Sequence, residues 1–197
     1  MPRSSSPAPE KPTLVFHDQR AWAVWLDVNH HTSDGVWLRM AKKSSGLPSV
    51  SYDEALDVAL CYGWIDGTKK RDDAEHFLQK FTPRGKRSIW SKRNREKALA
   101  FIERGEMKPA GLAEVERARA DGRWDAAYDG PSRMSVPADL QAALDANARA
   151  TAFFATLDSR NRYAILFRIH SAKRADTRAK RIQSFVEMLA RREKIHP

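Results

Sequence analysis

Apolar positions in the first half of this chain recur in short stretches of alternating character. Gln19–Asn29 places Ala21, Trp22, Trp25 and Leu26 at i, i+1, i+4 and i+5, which is one apolar stripe of a helix, with Asp18 ahead of it as a cap. His30-His31-Thr32-Ser33-Asp34-Gly35 turns the chain. Val36–Ala41 is rich in β-formers and is followed by a loop over residues 42–48, so it predicts a strand. Ser51-Tyr52-Asp53-Glu54 is a capping box that opens a helix through Ala55, Leu56, Val58, Ala59 and Leu60, stopping at Gly63. Residues 64–70 and 75–81 read as two strands joined by the polar turn Arg71-Asp72-Asp73-Ala74.

After Ser91 the apolar period lengthens to that of helices. Segments 92–104, 110–120 and 138–150 qualify, and 151–157 continues or restarts the last of them. Segments 160–172 and 177–192 complete a helical C-terminal half, with Ile165, Leu166 and Ile169, then Ile182, Phe185, Val186 and Leu189, as apolar faces. The predicted fold class is α+β: a small N-terminal sheet of about three strands with helices, followed by a helical C-terminal bundle. Residues 1–12 are Ser/Pro-rich and predict a disordered tail. Residues 13–130 form the α+β module and 131–197 the helical region, with a soft boundary at the turn formers Gly130-Pro131.

Composition narrows the function classes. The 197 residues suffice for one domain with a real core or two small modules, and 42% hydrophobic content argues against wholesale disorder. The formal charge of +10 favours anionic partners: nucleic acid, acidic protein surfaces, anionic headgroups or phosphorylated metabolites. From Arg160 onward there are eleven Lys or Arg against three acidic residues. The N-terminus has no apolar stretch of the kind a signal peptide needs, and no run approaches the roughly 18 apolar residues of a membrane span. A cytoplasmic location is the expectation. The single Cys61 excludes an intramolecular disulfide and a Cys-based zinc site, which fits a reducing compartment.

The candidate chemistry is cationic. Phe81-Thr82-Pro83-Arg84-Gly85-Lys86-Arg87-Ser88-Ile89-Trp90-Ser91-Lys92-Arg93-Asn94-Arg95 crowds cations, hydroxyls and an indole at a helix start, with Ser91 as N-cap. Lys92, Arg93 and Arg95 in a first turn oppose the helix dipole, an arrangement that an anion relieves. Arg84, Arg87, Ser88 and Ser91 can contact phosphates while Trp90 stacks on a base; the competing reading is a solvated basic loop over a buried Trp90. A similar start follows Asp176, where Arg174, Arg178 and Arg181 fall on one helical face beside Thr177; pairing with acidic residues such as Asp53, Glu54, Glu114 or Glu116 is the alternative. Segments 160–172 and 177 onward have the outline of a helix-turn-helix, an outline that plain bundles share.

Weaker candidates remain. Trp64 and Asp66 form a candidate pocket, with Asp66 as a general base, against the plainer reading that Asp66-Gly67 shapes backbone while Trp64 packs. Cys61 beside Leu60 and Tyr62 reads as an inert core thiol. His17, His30, His31, Asp27 and Asp34 gather near one helix end but match no closed zinc signature, so neither metal nor cofactor is expected.

Four motifs in order carry a family resemblance: Ala59-Leu60-Cys61-Tyr62-Gly63-Trp64-Ile65-Asp66-Gly67; Phe81-Thr82-Pro83-Arg84 with Ser88-Ile89-Trp90-Ser91; Gly122-Arg123-Trp124-Asp125-Ala126-Ala127-Tyr128; and Ala172-Lys173-Arg174 with Thr177-Arg178-Ala179-Lys180-Arg181-Ile182. Over nearly the whole chain after the tail they resemble the bacterial YdeI/OmpD-associated family, whose name is coupled with bacteriocin protection. The resemblance implies a stress or antimicrobial-resistance role and carries over no catalytic residue. The residues themselves favour a cytoplasmic anion-binding protein with nucleic acid or another polyanion as partner, and leave open an enzyme acting on a small anionic ligand.

Overall fold

A computed structural model of the protein describes residues 11–130 and 133–197, so residues 1–10 of the expected tail, and Pro131 at the expected boundary, lie outside the described residues. The fold is mixed α+β. The chain divides into two compact units: the first runs to Trp90 and resumes over Asn94–Ala126, and the second comprises Ser91–Arg93 and Ala127–Pro197.

The first unit is built on a sheet of four strands: β1 (Thr13–Leu14), β2 (Val36–Ala41), β3 (Trp64–Arg71) and β4 (His76–Pro83), in the order β1-β2-β4-β3. β1 lies parallel to β2 and the other pairings are antiparallel. Two-residue β1 is the strand that hydrophobic alternation misses, because it is too short to alternate. Pro12 is drawn in with it, its carbonyl accepting from the Trp37 N–H at 2.9 Å.

Two helices cover one face of this sheet's sequence neighbourhood. Helix α1 (Gln19–Asn29) is capped by Asp18, which accepts from the Ala21 N–H, and α2 (Tyr52–Cys61) carries the complete Ser51/Glu54 capping box. Val36, Leu38 and Met40 of β2 point into the core with Trp22, Leu26, Leu56, Trp64 and Phe81. Both large indoles there are satisfied: Trp22 Nε1–H donates to the Ala55 carbonyl at 3.1 Å, and Trp64 Nε1–H to that of His30 at 3.0 Å. Then α3 (Lys92–Glu103) and α4 (Pro109–Ala120) follow. Gly111 of α4 comes so close to the end of α2 that a Cβ there would stand 2.3 Å from the Cys61 carbonyl oxygen, and Gly63 at φ +73° ends α2 in a conformation that only glycine adopts without strain.

The second unit is helical: α5 (Ala138–Asp145), α6 (Ala148–Ala155), α7 (Ser159–His170) and α8 (Ala175–Ala190). Its core is Leu140, Leu144, Phe154, Ile165, Leu166, Ile169, Ile182 and Leu189. The helix expected over 138–150 is two helices, because the Asn147 side chain accepts from the Ala150 N–H at 3.1 Å and caps α6. Likewise α8 begins at Ala175, two residues before the expected Thr177, and has Asp176 in its first turn.

Candidate anion-binding site

The basic-aromatic stretch of the sequence does not form one exposed platform. In the first unit, β4 ends at Pro83 and the chain makes a tight turn in which the Gly85 N–H donates to Ser88 Oγ at 2.9 Å and the Ser88 N–H to the Gly85 carbonyl at 2.9 Å. Gly85, Lys86 and Arg87 are exposed at its tip. Arg84 turns inward: 4% exposed, its guanidinium carbon lies 3.6 Å from the centre of the Trp90 ring. Trp90 is 1% exposed and meets Trp124 edge-on at 4.9 Å. Its ring is therefore a floor for Arg84 and is not displayed at the surface for stacking on a base.

Two arginines that the sequence reading passed over complete this arrangement. Arg117 of α4 donates from Nη2 to the Arg84 carbonyl at 3.1 Å and to the Glu114 carboxylate. Arg123, in the segment after α4, donates from Nη1 to the Ser88 carbonyl at 2.6 Å and from Nε to Asp121 at 2.8 Å. Arg84 Nη1 donates to the Ile89 carbonyl at 3.3 Å. Three guanidiniums thus hold carbonyls of one loop. Burial pushes the Glu114 carboxyl above its usual range, against the opposing pull of Arg117, Arg84 and Arg123. Arg117 Nε, Arg123 Nη2 and Trp90 Nε1 are buried without a hydrogen-bond partner among the described residues. A buried donor left so costs about 1–3 kcal/mol.

The remaining predicted residues are distributed otherwise. Ser91, Lys92 and Arg93 belong to the second unit, where Ser91 bridges to Tyr128 and Lys92 Nζ lies 2.7 Å from Asp129 Oδ2. Arg95 Nη1 donates to the Trp124 carbonyl at 3.2 Å. Arg174 pairs with Asp176 at 3.1 Å and Thr177 contacts the same carboxylate. Arg178 grips Asp139 with Nε and Nη2 at 2.5 and 2.8 Å and donates from Nη1 to the Ile169 carbonyl; Arg181 donates to the Arg168 carbonyl and to Ser171 Oγ. Arg178 and Arg181 therefore cap the C-terminal carbonyls of α7, the negative end of its dipole, in place of projecting into a groove. The carboxylate partners of Arg174 and Arg178 are Asp176 and Asp139, from within the same unit.

Trp64 is core, and Asp66 accepts from the Tyr52 hydroxyl at 2.9 Å. A concavity in the first unit has Asp57, Cys61, Tyr62, Phe101, Glu106 and Lys108 among its lining residues. Burial, then Glu106 and Asp57, pushes the Cys61 thiol up to about 11, which keeps it protonated and unreactive. The histidine group is dispersed: His30 Nδ1 lies 2.8 Å from the Leu26 carbonyl, Asp27 accepts from the Tyr62 hydroxyl, and Asp34 pairs with Lys11. Among the described residues a different trio, Asp72, Asp73 and His76, brings its ligand atoms within 4.8 Å of one another at the β3–β4 turn. Arg39 already neutralises both carboxylates at 2.6 and 2.5 Å, so this trio is an ion-paired hairpin end.

The sheet supplies a basic surface that no sequence motif announces. Opposite the core-facing residues of β2 lie Trp37 and Arg39, and the pairings Trp37 with Lys80 and Leu78 with Lys70 bring two lysines onto the same face. Lys70 Nζ stands 4.5 Å and Lys80 Nζ 5.9 Å from the centre of the Trp37 ring. Neither lysine has an ion pair among the described residues.

Comparison with known proteins divides the chain in a similar way. Residues 14–114, just over half of the chain, match the model of a domain of unknown function, DUF8412, and the chain belongs to that family. Residues 133–192 match the family described as Bacteriocin-protection, YdeI or OmpD-Associated. That match bears out the resemblance for the C-terminal motif, whereas the motifs at residues 59–67, 81–91 and 122–128 fall outside it. No curated protein and no solved structure matches.

Proposed function

We propose that this member of the DUF8412 family is an anion-binding protein whose partner carries phosphate, nucleic acid being favoured, and that the open face of the sheet is the contact surface. The observation that carries the reading is the pair Lys70 and Lys80 above Trp37. Ammonium groups resting on an indole are held there by a weak attraction of roughly 0.5–2 kcal/mol. A phosphate backbone offers them stronger partners, and their departure frees the ring for a base to stack on. The charge of +10 supplies the long-range attraction. It also opposes electrostatic capture of a cationic bacteriocin, which is why anion binding is preferred over the role named for the family of residues 133–192.

The test is a salt titration of binding to a fluorescent single-stranded oligonucleotide, with heparin as the competing polyanion. Each lost phosphate contact reduces the slope of log affinity against log salt by about one. Lys70→Ala with Lys80→Ala is expected to flatten that slope by about two and to weaken binding at every salt concentration. An unchanged slope in the folded double variant, or no preference for the oligonucleotide over heparin, overturns the assignment.

A further inference from the structure

A groove in the second unit runs between α6 and the end of α8. Its volume of about 840 Å³ falls inside the roughly 300–1,000 Å³ of small-molecule sites. From α6 it takes Arg149, Ala152 and Phe153, at i, i+3 and i+4 on one helical face, while Ala150 and Phe154 of the same helix are buried in the core. Ala190, Arg191 and Arg192 line it from α8. Arg191 pairs with Glu193 at 3.1 Å. Arg149 and Arg192 have no ion pair and no side-chain hydrogen bond among the described residues.

Arg192 stands there against the preference of its own backbone. Four helices of this chain are followed by a residue in the left-handed conformation. Gly63, Gly105 and Gly122 take that position after α2, α3 and α4, at φ +73°, +69° and +75°. After α8 it is Arg192 at φ +59°, the only non-glycine residue at positive φ among the described residues. Its N–H donates to the Leu189 carbonyl at 2.9 Å and the Glu193 N–H to that of Met188 at 3.1 Å, the paired bonds of a Schellman turn. Glycine makes the same bonds without a strained Cβ, so the turn gains nothing from arginine. What arginine adds is a second unpaired guanidinium in the groove.

We infer that this groove binds a small amphiphilic anion, a phosphate or carboxylate carried on an apolar body. Arg149 and Arg192 hold the charged group, for which a guanidinium offers a planar fork of donors. Phe153, Ala152 and Ala190 supply the apolar floor beneath the body. The site lies in a different unit from the sheet surface and takes one small molecule where that surface takes a polyanion.

The full chain is titrated by calorimetry with 1-naphthyl phosphate and 1-naphthoate, and with inorganic phosphate and 1-naphthol as the two halves of the ligand. Saturable binding is expected for the naphthyl anions, at least tenfold tighter than for either half; the tighter of the two anions names the charged group. Arg149→Ala and Arg192→Gly are each expected to weaken it about tenfold. The urea midpoint of Arg192→Gly by far-UV circular dichroism is expected at or above that of the parent, so that lost affinity there is a lost contact and not a lost fold. A midpoint below the parent's removes the strain on which the inference stands. Absence of saturation, inorganic phosphate binding as tightly as 1-naphthyl phosphate, or parent-like affinity in both variants overturns the site.

Discussion

Two groups of three arginines share a residue type and differ in what the fold has done with them. Arg84, Arg117 and Arg123 hang on the carbonyls of one loop in the first unit, with Arg84 and Arg123 almost fully buried. Arg174, Arg178 and Arg181 lie at the start of α8 in the second unit and are tied to Asp176, to Asp139 and to the last carbonyls of α7. The second group has found neighbours for its charge in water's reach, where desolvation is small and the pairs contribute little. The first group has been drawn out of water, with Arg84 and Arg123 almost fully buried and their donors set on loop carbonyls, so the loss of one of them costs more. Density of cations along the sequence marks the second group and, of the first, only Arg84; burial separates the two groups.

The sharpest way to break that contrast is to truncate the most buried member. Arg123→Ala removes the bonds to Ser88 and Asp121 and leaves the loop carbonyl without its donor. A loss of about 2–3 kcal/mol of first-unit stability is expected. All six tryptophans lie in that unit, so the urea transition followed by tryptophan fluorescence reads it selectively. A shift below about 0.5 kcal/mol would place Arg123 with the surface arginines and end the distinction.

Legibility in the sequence followed locality. Helices α1 and α2 were readable because Asp18 and the Ser51/Glu54 box act within three residues of themselves. The strand β2 was readable because its six residues are rich in β-formers and end at a loop, while β1 has two residues and offers no such signal. The break between α5 and α6 was hidden in an alanine-rich run whose one signal is Asn147, a residue that also sits inside helices. The site was half legible. Arg84, Ser88 and Trp90 stood out as a cluster, but Arg117 and Arg123 reach them across 33 and 35 positions. Lys70 and Lys80 gather over Trp37 only through the register of three strands. The indole was open to two readings, a stacking platform or a buried ring under a basic loop, because nothing local decides between them; the fold buries it and lays one of the adjacent cations over it.

A smaller effect is expected at Arg178, and it carries a signature in pH. The Arg178 guanidinium beside Asp139 holds that carboxyl below its usual range. A carboxyl depressed in the folded state stabilises the fold above the unfolded pKa of about 4, and that contribution is lost as the pH falls through the lower folded value. Arg178→Ala is expected to cost about 1 kcal/mol at neutral pH, since the Ile169 carbonyl loses its cap as well. The cost shrinks as the solution is acidified below about pH 4. Far-UV circular dichroism should register the change while tryptophan fluorescence stays at the parent transition. An equal shift in both signals would mean that the second unit does not unfold separately from the first.

The smallest effect is expected at Arg174, whose side chain is 81% exposed and whose partner Asp176 is 55% exposed. Solvent screens such a pair, and the two long side chains lose rotamer freedom to form it, so Arg174→Ala should change stability by less than about 0.5 kcal/mol at neutral pH. The residue precedes α8 with an extended backbone and makes no capping bond through its side chain, which removes the other route to a larger cost. If Arg174 is a partner contact and not a structural one, the variant weakens oligonucleotide binding and lowers its salt slope by about one while the urea transition stays in place. An unchanged slope leaves Arg174 as the surface pair that its neighbour Asp176 indicates.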